Sequence, residues 1–305
     1  MGDIANALDK LDALEEQWDA NQSDVWGISS GFPSIDHLTG GFHPGEVFVL
    51  GARTSHGKTA LATQMMFSVV HQIALDSREA GYQTGQVLGF SPEMAAHMLM
   101  LRQASVISKV PSSVIRTGQA TEVQRDAWDR AKRLLRLYDP YVVLKAQGDM
   151  SVQEISTLVE TKSKANGIET KLVVIDYIQY LTSAAGRDNS YEQVSNVTKE
   201  VKDMANHLEI PVLLLSQLNR KAAQSQDDES EDVPELHELE GSGKIEARAD
   251  TVGLLWRPNR VTDQPDSEAQ KALLRIGKNR NGPVGIVPLY YYPDLTRFRD
   301  PDHPE

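Results

Sequence analysis

Residues 51–64 read GARTSHGKTALATQ. A glycine, a basic residue and small polar residues lead into Gly57-Lys58-Thr59, and from Lys58 on Leu61, Met65 and Val69 fall at helical spacing. Just upstream, GEVFVLGA (45–52) is a short apolar run entered through Pro44-Gly45, and it reads as a buried strand. Strand, small-residue loop, helix is a cradle for phosphate, because backbone N–H groups face inward and a helix N-terminus points at the anion. The candidate nucleotide-binding segment is therefore Ala52, Arg53, Thr54, Ser55, His56, Gly57, Lys58, Thr59 and Ala60. Gly57 admits close backbone approach, Lys58 offers a cation to the outer phosphates, and Thr59 offers a hydroxyl to Mg2+. The general pattern asks for glycine where Ala52 stands, with Gly51 one step early. ATP and Mg2+ are the implied ligands.

The flanking sequence repeats this alternation. GQVLGFSPEM (85–94) reads as a strand ending near Phe90, and VVLK (142–145) as a short strand. Residues 151–166 read as a helix opened by a capping box, Ser151 with Glu154. KLVVIDY (171–177), IPVLLLSQ (210–217) and DTVGLLWR (250–257) are near-continuous apolar runs, the mark of strands buried on both faces. Val194, Val197, Val201, Met204 and Leu208 mark a long amphipathic helix between two of them. ALLRIGKNRNGPVGIVPLYYY reads as two strands joined near Asn281-Gly282. The expected fold is α/β, a mainly parallel central sheet with flanking helices and a C-terminal antiparallel hairpin. Residues 181–190 and 219–244 read as loops, and no internal repeat is visible.

Composition narrows the class. The chain has 305 residues, 40% hydrophobic and 24% charged, the balance of an ordinary globular domain. No apolar run approaches the ~20 residues of a membrane-spanning helix. There is no cysteine, which excludes disulfide and thiol chemistry and leaves a cytoplasmic setting as the default. A net charge of −12 argues against a passive nucleic-acid coat, though not against a machine that grips nucleic acid through a few local cations. Residues 3–20 form an acidic amphipathic helix with Ile4, Leu8, Leu11, Leu14 and Trp18 on one face. That stripe packs either on its own domain or on a neighbouring subunit.

Several residues bear on hydrolysis. Asp176 closes the apolar strand LVVID, where an acid holds Mg2+ through water in phosphate-loop proteins. Glu93 lies just past the strand VLGF on the carboxyl edge; it reads as a general base or as a first-turn helix acid. Gln217 ends VLLLSQ and reads as a sensor of the γ-phosphate or as a strand-end amide bonded to backbone. Lys278 and Arg280 share one face of a strand, either reaching a neighbour's nucleotide or lying on a solvated edge.

Taken in order, SGFPSIDHLTGGFHPGEVFVLGARTSHGKTA, GFSPEM, LVVIDYIQ, VLLLSQLNR, GSGKIEARAD and GKNRNGPVG resemble the motor domain of bacterial and phage replicative DNA helicases of the DnaB type, from about Gly27 to Tyr292. Ala52 at the start of the loop is usual in that family. The resemblance implies a RecA-like P-loop NTPase fold, a homo-hexameric ring, ATP sites between subunits and 5′-to-3′ movement on single-stranded DNA. It implies that Lys58 and Thr59 bind phosphate and Mg2+, that Glu93 is the catalytic acid and Asp176 the second Mg2+-linked acid. Gln217 reads the γ-phosphate, and Lys278 and Arg280 reach the adjacent subunit's ATP. Residues 1–24 then match a linker helix that docks on the next subunit, and residues 25–305 the motor. Primase and a helicase loader are the implied partners. The rival readings are a RecA-like or clock-type ATPase and a non-translocating ATP-binding adaptor.

Three features depart from the family. Its separate helical N-terminal domain is not in this sequence. The loop before GSGKIE carries seven acids between Asp227 and Glu238, and Glu240 stands where the family grips DNA phosphate. Gly243 keeps its place and Lys244 adds a cation, so these two are the candidate DNA contacts, with the acidic stretch turned from the pore, moving as a flap, or simply a solvated loop. Arg187 is a lone cation in the other loop, a candidate to line the pore.

Overall fold

The computed structural model describes residues 3–20, 25–92, 94–146, 148, 150–176, 178, 181–182, 190–218, 233–239, 242–258 and 268–302. A nine-stranded sheet forms the centre. Its parallel part runs, in spatial order, β3 (Val142–Ala146), β2 (Gln86–Ser91), β5 (Thr170–Ile175), β7 (Val212–Gln217), β1 (Val47–Ala52) and β8 (Thr251–Trp256). Beyond β8 the sheet turns antiparallel through β9 (Gln270–Asn279), β10 (Gly285–Tyr292) and β11 (Arg297–Arg299). The mainly parallel sheet and terminal hairpin are as the sequence leads one to expect. β11 is an addition the sequence reading did not contain. A two-stranded parallel pair, β4 (Met150–Ser151) with β6 (Leu181–Thr182), puts strand where residues 181–182 read as loop.

Helices cover both faces because the central strands are apolar on both: β1, β2 and β8 are buried at every residue. On one face α3 (Lys58–Ala80) lays Leu61, Met65, Val69 and Ile73 against Leu50, Val87, Leu172 and Leu215. On the other, α7 (Val152–Asn166) and α8 (Ser190–Leu208) pack Ile155, Val159, Val197 and Val201 onto Val49, Leu88, Val173 and Leu214. The capping box expected at α7 is present: Glu154 N–H donates to Ser151 Oγ at 3.2 Å and Ser151 N–H donates to the Glu154 carboxylate at 2.8 Å.

The remaining helices include α1 (Asp3–Ala20), α2 (Pro33–Thr39), α4 (Ala96–Ser108), α5 (Ser112–Arg116), α6 (Glu122–Leu137) and α9 (Ser242–Arg248). The end of the second loop thus differs from expectation, since residues 242–244 open a helix. Along α1, Ile4, Leu8 and Leu11 are exposed at 77%, 52% and 40%, so this part of its apolar stripe finds no cover among the described residues. Among the described residues no helix is long and apolar enough to cross a membrane.

Candidate nucleotide site

Register decides where the site lies. β1 pairs with β7 through Ala52 and Gln217 and with β8 through Ala52 and Leu255. β2 pairs with β5 through Phe90 and Ile175, and β5 with β7 through Ile175 and Leu214. The carboxyl ends of β1, β2, β5, β7 and β8 therefore share one edge, and the loop at 53–57, Asp176 and Gln217 converge on it.

The loop folds tightly. Ser55 and Gly57 both take positive φ, 68° and 95°. Any side chain at 57 is doubly disfavoured, because an added Cβ would also sit 2.7 Å from the Phe298 ring. Lys58 opens α3, so the free N–H groups of its first turn face the loop's concavity. A cavity of about 520 Å3 lies there, within the range that holds a nucleotide-sized ligand. It is lined by Ala52, Arg53, Thr54, Ser55, Gly57, Lys58, Thr59, Ala60 and Gln217, and also by Met94, Arg102, Tyr291 and Thr296. The Lys58 ammonium rests on the Ser216 carbonyl at 3.3 Å. Thr59 Oγ1 donates to the Asp176 carboxylate at 2.8 Å, and Asp176 is 5% exposed. A hydroxyl and a carboxylate oxygen so placed beside a phosphate cradle are the hard oxygen donors that Mg2+ takes, with water and phosphate completing its shell.

The other predicted residues fall in four places. His56 belongs to the loop, but its side chain is absent from the cavity wall: it is 1% exposed and stacked on Trp256. Glu93 and Arg187 lie outside the described residues. Gly243 and Lys244 are exposed on α9. Lys278 and Arg280 are at the opposite edge of the sheet from the cavity. Thr251 at the start of β8 pairs with Asn279, whereas the loop leaves β1 opposite Leu255. Four residue steps along a strand separate these levels, about 13 Å. Here Arg280 Nη1 meets Asp250 Oδ1 at 3.1 Å, and Lys278 Nζ donates to the Ala249 carbonyl at 2.6 Å and to the Glu246 carbonyl at the end of α9. Asp250 is 2% exposed and also accepts from Lys202 at 2.7 Å and from Val47 N–H at 2.9 Å. Burial, and then the nearby Arg280 charge, hold the Lys278 ammonium below the usual lysine range.

The matching family model is the DnaB-like helicase C terminal domain, over residues 27–300. The chain belongs to that family. It is 28% identical over 302 residues to the replicative DNA helicase DnaB of Haemophilus influenzae, covering 97% of this chain and 59% of that protein. It superposes on the ATPase domain of G40P with a TM-score of 0.82 at 26% identity, covering 98% of this chain and 99% of that one. A second solved structure, a DnaB-like replicative helicase described together with its interactions with primase, matches at a TM-score of 0.79 and 26% identity, covering 98% of this chain and 67% of that one. The chain spans about three-fifths of the length of the curated relatives it matches. The RecA-like fold implied by the motifs is thereby the family's own.

Sequence reasoning missed Met94, Arg102, Tyr291 and Thr296 on the cavity wall. The segment 96–108 was not read as a helix, so nothing aimed Arg102. Tyr291 and Thr296 reach the site only because β10 and β11 fold back onto α3, where Gln64 holds both backbone groups of Phe298.

Proposed function

We propose that this chain is the ATP-driven motor of a replicative DNA helicase, moving 5′-to-3′ on single-stranded DNA as a ring of six copies. One observation carries the reading: the phosphate cradle and the pair Lys278 and Arg280 lie on opposite edges of one sheet. A single chain therefore has a site lacking these cations and a pair of cations lacking a site. Head-to-tail contact between copies supplies each with the other, and such heterologous contacts close into a ring where the rotation from copy to copy closes.

In this reading the first turn of α3 and Lys58 bind the β- and γ-phosphates of ATP. Thr59 and Asp176 would hold Mg2+, which when bound spreads the charge that develops on the transferred phosphoryl group. Glu93 takes the proton of the attacking water, and Gln217 contacts the γ-phosphate. From the next copy Arg280 reaches the same phosphate, with Lys278 beside it. Gly243 and Lys244 on α9, together with Arg187, face the DNA. Six weak contacts in one pore act together, which lets a chain of net charge −12 hold a polyanion.

Residues 1–24 act as the linker between copies and residues 25–305 as the motor. α1 needs a cover, and the groove between α4 and α6 fits it. This groove of about 660 Å3 has Met100, Leu101, Ala104, Trp128 and Leu135 as its apolar lining and His97, Lys132, Arg136 and Asp139 as its polar residues. Asp9, Asp12, Glu15 and Glu16 on α1 are opposite in charge to Arg136 and to Lys132, which also pairs with Asp129 at 2.7 Å. We place the protein in the bacterial or phage-infected cytoplasm, with primase and a loader as partners.

The test is hydrolysis with and without single-stranded DNA, then strand displacement on a fork with a 5′ tail. DNA-stimulated hydrolysis and unwinding from the 5′ tail are expected, and Glu93→Gln should abolish both. ATP binding with hydrolysis indifferent to DNA and no displacement would instead favour the adaptor reading.

A further inference from the structure

We infer that His56 is a positioning residue for the phosphate loop, acting through the backbone rather than by touching nucleotide; this rests on the nucleotide reading of the same site. The loop needs such a residue. Ser55, a non-glycine, is held at φ 68°, a left-handed conformation that persists only where surrounding contacts fix it. His56 sits between that residue and Gly57 at 95°, and supplies the contacts.

Its ring is 1% exposed and stacks on Trp256 with centroids 4.5 Å apart and planes 18° from parallel. Its Nδ1 accepts the backbone N–H of Arg257 at 3.0 Å, which requires the neutral ring with its proton on Nε2. Arg257 returns the contact: its guanidinium donates to the Ser55 carbonyl at 3.3 Å and to Gln270 Oε1 at 2.8 Å, and lies 3.7 Å over the Tyr291 ring. The middle of the loop is thereby fastened at two successive residues to the end of β8. Tyr291, the ring beneath that guanidinium, also lines the cavity. Loss of the Nδ1 acceptor leaves a buried N–H unmatched and frees Ser55 to relax from its left-handed conformation. The binding-competent loop then becomes a minor state, and apparent affinity falls by its population.

The experiment measures binding of a non-hydrolysable ATP analogue with Mg2+, hydrolysis, and the thermal midpoint of the full chain. The variants are His56→Phe, which keeps the stack and loses the acceptor; His56→Met, an adaptable apolar filler; and His56→Asn, whose amide oxygen takes the place of Nδ1. We expect Phe and Met to weaken analogue binding about tenfold, and Asn to recover it to within about threefold of wild type. In hydrolysis the losses in Phe and Met should fall more on KM than on kcat, since the ring touches no reacting atom. His56→Met gives the same reading if His56→Phe does not fold. Wild-type affinity in His56→Met, or equal losses in Asn and Met, would overturn the role of Nδ1. Lys58→Ala separates the two failures: if it binds the analogue as tightly as wild type, the nucleotide site itself is misassigned.

Discussion

Arg280 has two partners in prospect, Asp250 within its own chain and a nucleotide held by the next copy. The two make different demands on Arg280→Ala. Within the chain, the Arg280 side chain is 50% exposed and 3.1 Å from Asp250, which keeps Lys202 at 2.7 Å and Val47 N–H at 2.9 Å. A bridge half in solvent, with its acid still neutralised, contributes about 0–1 kcal/mol after screening. That shifts the midpoint of a chain this size by no more than about 4 °C. An arginine completing a phosphoryl-transfer site contributes ~10³–10⁵ in rate, about 4–7 kcal/mol. So Arg280→Ala should fold almost as wild type and hydrolyse at least ~10³-fold more slowly. The decisive assay mixes it with Lys58→Ala, each inactive alone. One chain keeps the cradle and the other keeps the finger, so random mixing at equal amounts restores about a quarter of the sites. Mixed chains no more active than the two alone would refute the shared site, as would a fall in midpoint large enough to explain the lost rate.

Three further outcomes follow from the geometry. Lys202→Met removes one of two cations from a carboxylate 3% exposed, with Arg280 still at 3.1 Å, and should cost about 1.5–3 kcal/mol in urea unfolding; a change under about 0.5 kcal/mol would show that Asp250 does not depend on Lys202. Gly57→Ala meets both the positive φ and the Phe298 ring, so ATP-analogue binding by calorimetry should be lost; retained affinity would contradict the loop geometry. His43 stacks on Trp26 at 3.6 Å and gives its Nε2 proton to the Thr39 carbonyl, and burial lowers its pKa below 6.5. Its neutral form is favoured in the folded chain, so stability is full above about pH 6.5 and falls as pH drops toward the lowered value. The wild-type midpoint should therefore lose more between about pH 7.5 and about pH 5.5, either side of the ordinary imidazole value, than that of His43→Gln; equal losses would contradict it.

Much of this was legible because each element announced itself locally. The apolar runs at β1, β5, β7 and β8 are buried at nearly every position, and burial on both faces is what continuous apolar sequence means. Ser151 with Glu154 marked the start of α7. Thr121 with Gln124 forms the same box at α6, and that signal passed unread. α6 is polar over most of its surface and buries only Trp128 and Ala131 deeply, so its apolar period is sparse. Candidate residues at or beyond a strand end, such as Thr59, Asp176 and Gln217, could be located from sequence because the carboxyl ends of these strands share an edge. Arg102 and Tyr291 could not, since tertiary folding of α4 and β10 brings them to the cavity. His56 lies within the loop, but no spacing rule says which way a loop side chain turns. The packing of Trp256 and the N–H of Arg257 decide that.

A cavity divided between two chains has one direct signature, the dependence of hydrolysis on concentration. Rate per chain should be constant while copies are associated and collapse toward zero as dilution separates them, with single-stranded DNA shifting the collapse to lower concentration. A rate per chain that stays at its full value through dilution to the monomer, followed by sedimentation in the same samples, would contradict it.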